Sequence, residues 1–123
     1  MQTNEALKTL VDSYIQAFEA RELSCCLGFF HEDALLTFAT GKFRGIKAIE
    51  QWHMDRFKGG MRLVEIEGIE YKDNTVIIQA KVTSPRLRIF RIENLRGIGT
   101  CVIDQYKFKE VRLELRKGYR FRI

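Results

Sequence analysis

The chain is most easily placed by what it has little of. It holds one proline and nine glycines, and neither gathers into a linker-like stretch. No apolar run approaches the roughly 20 residues needed to cross a bilayer. Met1-Gln2-Thr3-Asn4-Glu5 has neither the basic start nor the apolar block of a secretory signal. Cytoplasmic residence with no membrane contact is therefore the expectation. Cysteine is scarce: Cys25, Cys26 and Cys101 are odd in number, and two of them are adjacent. That argues against a disulfide framework and leaves all three as small apolar residues, buried or half-buried. There is no CxxC spacing and no paired histidine, so no metal site is expected. Glu50 and His53 form a single ExxH pair, whereas a di-iron centre needs a second copy and more carboxylates. HExxH, a phosphate loop, a dinucleotide glycine pattern and a nucleophile elbow are all missing, so no cofactor is expected.

What is present suits one domain spanning 1–123, long enough to bury a core without staples. The net charge is +5, and it is unevenly spread. Residues 1–85 carry 10 Lys/Arg against 12 Asp/Glu, while residues 86–123 carry 11 against 4. A basic last third on a slightly acidic first part is compatible with an anionic partner.

Hydrophobic periodicity divides the chain into helices and then strands. Thr3 or Asn4 can cap a first helix, along which Leu7, Leu10, Val11, Tyr14, Ile15 and Phe18 share a face. Leu23, Cys26, Leu27 and Phe30 recur at helical spacing in a shorter second helix. A short strand is expected at Ala34–Phe38, then a turn or edge segment at Lys42–Gly45. A third helix from Ile46 to Lys58 carries Ile49, Trp52, His53 and Phe57 on one stripe and ends at Gly59-Gly60. Beyond Met61 the period falls to two. Strands are expected near 61–72, 74–84, 86–95, 98–109 and 110–117, with a last strand or docking tail at 119–123. Val76, Ile78, Ala80 and Val82 face one way, opposite Gln79, Lys81 and Thr83, as in a sheet buried on one side. Helices followed by a run of strands predict an α+β architecture.

Helix one with Tyr14, the stretch Leu27-Gly28-Phe29-Phe30-His31-Glu32-Asp33-Ala34, and Gly41…Gly45-Ile46-Lys47-Ala48-Ile49 resemble the nuclear transport factor 2-like superfamily. The SnoaL-like polyketide cyclase and ketosteroid isomerase branch is the nearest in flavour. The resemblance implies a cone, in which three N-terminal helices pack into a strongly curved mixed or antiparallel sheet (a cystatin-like roll). It also implies an apolar pocket and frequent homodimers packed through the sheet. It sets Tyr14 where the steroid isomerase pattern has an oxyanion-hole tyrosine, and Asp104 where it has a protonated aspartic acid. The general base of that pattern would fall at Phe38, whose ring cannot take a proton. The carboxylate and histidine sets of the epoxide hydrolase and scytalone dehydratase patterns find no counterparts.

Each candidate has a plain alternative. Tyr14 is either a core aromatic or a pocket hydrogen-bond donor. Asp104, among Val102, Ile103, Tyr106 and Phe108, is either paired with Arg112 or Arg116, or desolvated in the cone as the catalytic acid or base. His53, Trp52, Phe38 and Tyr106 are expected around the pocket, with His53 near its mouth. His31 reads as an exposed loop residue. The run Arg86, Arg88, Arg91 and Arg96 reads as edge protection or as an anion site. Aromatic interleaving is too thin for nucleic-acid binding to be expected. The expected function is binding of a small apolar or anionic molecule, with cofactor-free proton transfer (isomerase, cyclase or dehydratase) if the protein is an enzyme. The alternative is a non-catalytic dimeric module that recognises an acidic partner through its basic sheet.

Overall fold

The computed structural model describes residues 3–38, 41–85, 89 and 95–115. Helix α1 spans Asn4–Glu19, and the Thr3 hydroxyl caps it by accepting from Ala6 N at 3.1 Å. It ends in a Schellman motif, with Arg21 N bonded to Phe18 O and Glu22 N to Ala17 O. Arg21 occupies the left-handed position usually left to glycine, with φ 60°. Helix α2 is short, Leu23–Gly28. Helix α3, Ile46–Lys58, closes the same way as α1: Gly60 N bonds Phe57 O and Met61 N bonds Arg56 O. Here a true glycine, Gly60, takes the positive φ of 73°.

Six strands follow the order β2-β1-β6-β5-β4-β3 in one sheet. They are β1 Phe30–Phe38, β2 Gly41–Arg44, β3 Arg62–Lys72, β4 Thr75–Thr83, β5 Leu95–Asp104 and β6 Lys107–Leu115. All neighbours are antiparallel except β1 and β6, which run parallel. Bulges interrupt β1, β3 and β6, where they bend and twist a sheet. The core lies between the helices and the inner sheet face. Leu7, Val11, Leu36, Ile49, Val76, Ile103 and Phe108 are almost fully buried there. The expected α+β cone with three helices and a mixed sheet is the observed one.

Several boundaries differ from expectation. Strand β1 begins at Phe30 rather than Ala34, because Phe30 pairs with Phe108 and leaves the helical stripe. His31 thereby becomes a strand residue, and its Nε2 lies 2.7 Å from Asp104 O. The expected strand over 98–109 is two strands. The chain reverses at Gln105-Tyr106, both at positive φ, 51° and 62°. This is the two-residue hairpin geometry that usually recruits Asn-Gly, so composition gave no sign of it. Cys25 is exposed, not apolar filling, while Cys26 and Cys101 are buried. The strand expected at 86–95 falls, apart from Ile89 and Leu95, outside the described residues, as do 119–123.

Candidate functional site

The cone holds a cavity of about 320 Å³ between α1, α3 and the inner face of the sheet. Its lining follows from strand alternation. Ile78, Ala80 and Val82 of β4 point inward with Gly97, Gly99 and Cys101 of β5 and Val111 and Leu113 of β6. The glycines leave the β5 wall without side chains opposite the helices. Helix α1 supplies Val11, Tyr14, Ile15 and Phe18, and α3 supplies Trp52. The lining grades from buried Phe30, Phe108 and Cys101 to half-buried Phe38, Leu63, Val82 and Leu95 at the opposite strand ends. Among the described residues the cavity therefore opens at that second end.

Tyr14 stands in the wall with its ring edge-to-face against Phe29, Phe30, Phe108 and His53. Its hydroxyl lies 2.6 Å from His53 Nε2. His53 Nδ1 lies 2.8 Å from the carbonyl oxygen of Ile49, one turn earlier on α3. A carbonyl only accepts, so Nδ1 carries the hydrogen and Nε2 accepts the Tyr14 proton. His53 is thus neutral, with its pKa pushed down by burial and partly restored by the Ile49 bond. Burial holds the Tyr14 phenol well above its usual range, reinforced by Cys26 and Cys101. Burial also pushes the Cys101 thiol up to about 12. Neither the phenol nor the thiol ionises near neutrality.

Of the expected site residues, Tyr14, Trp52 and Phe38 line the cavity. His53 does not: it is 0% exposed and sits behind Tyr14 rather than at the mouth. Asp104 is not in the cone. The unforeseen turn at 105–106 makes it the last residue of β5, with its side chain 56% exposed and its Oδ2 3.9 Å from His31 Nε2. Of the two arginines considered for it, Arg112 instead lies 3.8 Å from Glu110, and Arg116 falls outside the described residues. The same turn carries Tyr106 away from the pocket and leaves it 53% exposed. The residues that sequence reasoning missed are Arg21 and Arg56. Arg56 stacks over the rings of Phe38 and Trp52, at 4.8 and 5.7 Å. Arg21 stacks over Phe57 and Phe18, at 5.0 and 5.6 Å. The i, i+4 spacing of Trp52 and Arg56 on α3 was the available signal.

The outer sheet face is not a uniform basic surface where it is described. Lys81 lies 3.6 Å from Glu65 and 3.9 Å from Glu67, and Arg96 lies 3.2 Å from Glu67. These pairs offset the positive charge across β3, β4 and β5. The run Arg86, Arg88 and Arg91 lies outside the described residues. Among the described residues there is no helix long and apolar enough to cross a membrane and no cluster of potential metal ligands.

No protein-family model and no curated protein sequence matches the chain. Solved structures do. A provisionally assigned polyketide cyclase of Sinorhizobium meliloti is 16% identical with a TM-score of 0.78, over 86% of this chain and 94% of that one. A provisionally assigned ketosteroid isomerase of Kribbella flavida is 13% identical with a TM-score of 0.78, over 94% of this chain and 82% of the other. An LEH-like epoxide hydrolase of M. tuberculosis is 14% identical with a TM-score of 0.72, over 93% of this chain and 84% of the other. At these identities the similarity shows the fold alone: the chain has the α+β cone found in solved nuclear transport factor 2-like proteins.

Proposed function

We propose that the chain uses this cone to take up an apolar small molecule, and that it acts as a binding protein rather than a proton-transfer catalyst. The carrying observation is the character of the cavity. Close-packed interiors keep few voids larger than a water molecule. Water in an open cavity of about 320 Å³ with an apolar wall finds few partners there, so the space favours an apolar occupant over solvent. Its volume matches roughly ten water-sized groups, and hydrocarbon and aromatic side chains make up almost all of its wall.

Isomerase, cyclase or dehydratase chemistry needs an acid or base facing the ligand with a pKa near the working pH. Among the described lining residues the ionisable groups are the Tyr14 phenol and the Cys101 thiol, both raised by burial, and Glu114, which is exposed. Asp104, the one acid nominated by the resemblance, is outside. Tyr14 spends its proton on His53, so its oxygen is left as an acceptor. The cone is suited to holding a ligand more than to transforming it.

Trp52 is the only tryptophan and lines the cavity, so its emission reports occupancy directly. Titration with 1-octanol is expected to change that emission saturably. Ala80→Leu, which extends a side chain into the cavity, is expected to weaken the response by about tenfold or more while the far-ultraviolet dichroism is retained. An emission insensitive to octanol, or an Ala80→Leu variant that binds as well as the parent, rejects the reading.

A further inference from the structure

Beside the mouth of the cone stands a cation that an apolar ligand alone would not use. Trp52, which lines the cavity with its ring, is 3% exposed, and its indole Nε1 is sealed off with no hydrogen-bond partner among the described residues. One turn further along α3, the Arg56 guanidinium lies across Phe38 and Trp52. It makes none of the ion pairs found among the described residues, and the neighbouring Asp55 is engaged by Gln51 at 2.9 Å. On the other side of the Trp52–Phe18 contact, Arg21 donates one nitrogen to Met61 O, and its Nη1 is sealed off with no partner among the described residues. Arg62 beside it is occupied by Glu19 at 3.4 Å.

All of this lies at one end. Phe38, Leu63 and Leu95 mark the open strand ends, and Met61 precedes β3 there. A guanidinium stacked on an aromatic face keeps its in-plane N–H groups free for an anion. Arg56, stacked on two residues of the cavity wall, sets a guanidinium beside an apolar opening.

We propose that the ligand is a monoanionic amphiphile, its apolar body in the cone and its carboxylate at the mouth against Arg56. This rests on the cone being a binding cavity and adds the chemistry of the head group. An arginine offers a carboxylate two parallel charge-assisted bonds. A neutral alcohol of the same chain length offers the rim only one weak acceptor.

The test compares octanoate with 1-octanol, which share the apolar body, by Trp52 emission. Octanoate is expected to bind about tenfold more tightly than octanol. In Arg56→Met, which keeps the apolar stem and removes the charge, the ratio of the two affinities is expected to fall to about one. On the unaltered protein, raising salt from about 0.05 to about 0.5 M is expected to weaken octanoate and spare octanol. That arm decides the matter even if the variant does not fold. Octanol binding as tightly as octanoate, or a preference that survives both Arg56→Met and salt, overturns the head-group assignment and leaves the cavity reading standing. If neither compound perturbs Trp52, both proposals fall together.

Discussion

At the scale of single residues, the buried polar unit is Tyr14 with His53. Each satisfies the other in a place where neither could be left unpaired without a cost of about 1–3 kcal/mol. The unit makes stability depend on pH in a definite direction. Burial lowers the folded-state pKa of His53 below its ordinary value of about 6.5. The unfolded chain therefore binds that proton first, and stability present above about pH 6.5 is lost as the pH falls towards the folded-state value. Tyr14 works at the opposite end. Its folded pKa is raised, so stability present below about pH 10 is lost as the pH rises beyond that point. Thermal midpoints are expected to fall between about pH 7.5 and 5.5. His53→Gln is expected to be less stable at neutrality but flatter across that interval. A parent slope that persists in His53→Gln would assign the titration elsewhere.

At the scale of elements, the two longer helices end in the same motif with different residues at the left-handed position, Arg21 in α1 and Gly60 in α3. The difference has a spatial reason. A Cβ on Gly60 would come within 2.9 Å of Pro85 Cδ, whereas Arg21 uses its side chain to reach Met61 O and the Phe57 ring. Gly60→Ala is expected to cost about 1–3 kcal/mol, read from the denaturant midpoint, because strain and overlap add. The same elements show why some of the fold was legible and some was not. Helices α1 and α3 and strands β3 and β4 are periodic over many residues, and Thr3, Gly59-Gly60 and Asp73-Asn74 punctuate them with the expected chemistry. The β5–β6 reversal is carried by Gln105-Tyr106, to which composition assigns no turn. That one missed reversal displaced Asp104 and Tyr106 from the wall of the cone to its outside. Tyr14, Trp52 and Phe38 were legible as cavity residues because their elements were. The stacking of Arg21 and Arg56 was not, since it depends on the closeness of α1, α3 and the end of β1.

At the scale of the whole molecule, occupancy of the cone and stability are linked. A ligand that binds only the folded chain adds about 2.7 kcal/mol at a free concentration of about a hundred times its Kd. Octanoate is thus expected to raise the thermal midpoint with the logarithm of its concentration, and Ala80→Leu is expected to lose that dependence. A midpoint that ignores octanoate in the parent would separate the amphiphile from the folded state altogether. The strand order carries a consequence for how the chain is made. Strand β6 comes after every other described strand in the chain, yet it sits in the middle of the sheet and joins the early pair β1–β2 to β3–β4–β5. Until it emerges from the ribosome, a nascent chain holds two sheet fragments with facing, unpaired edges. The seam closes only when β6 arrives, and the interval before that is when these strands are most exposed to aggregation and most in need of a chaperone.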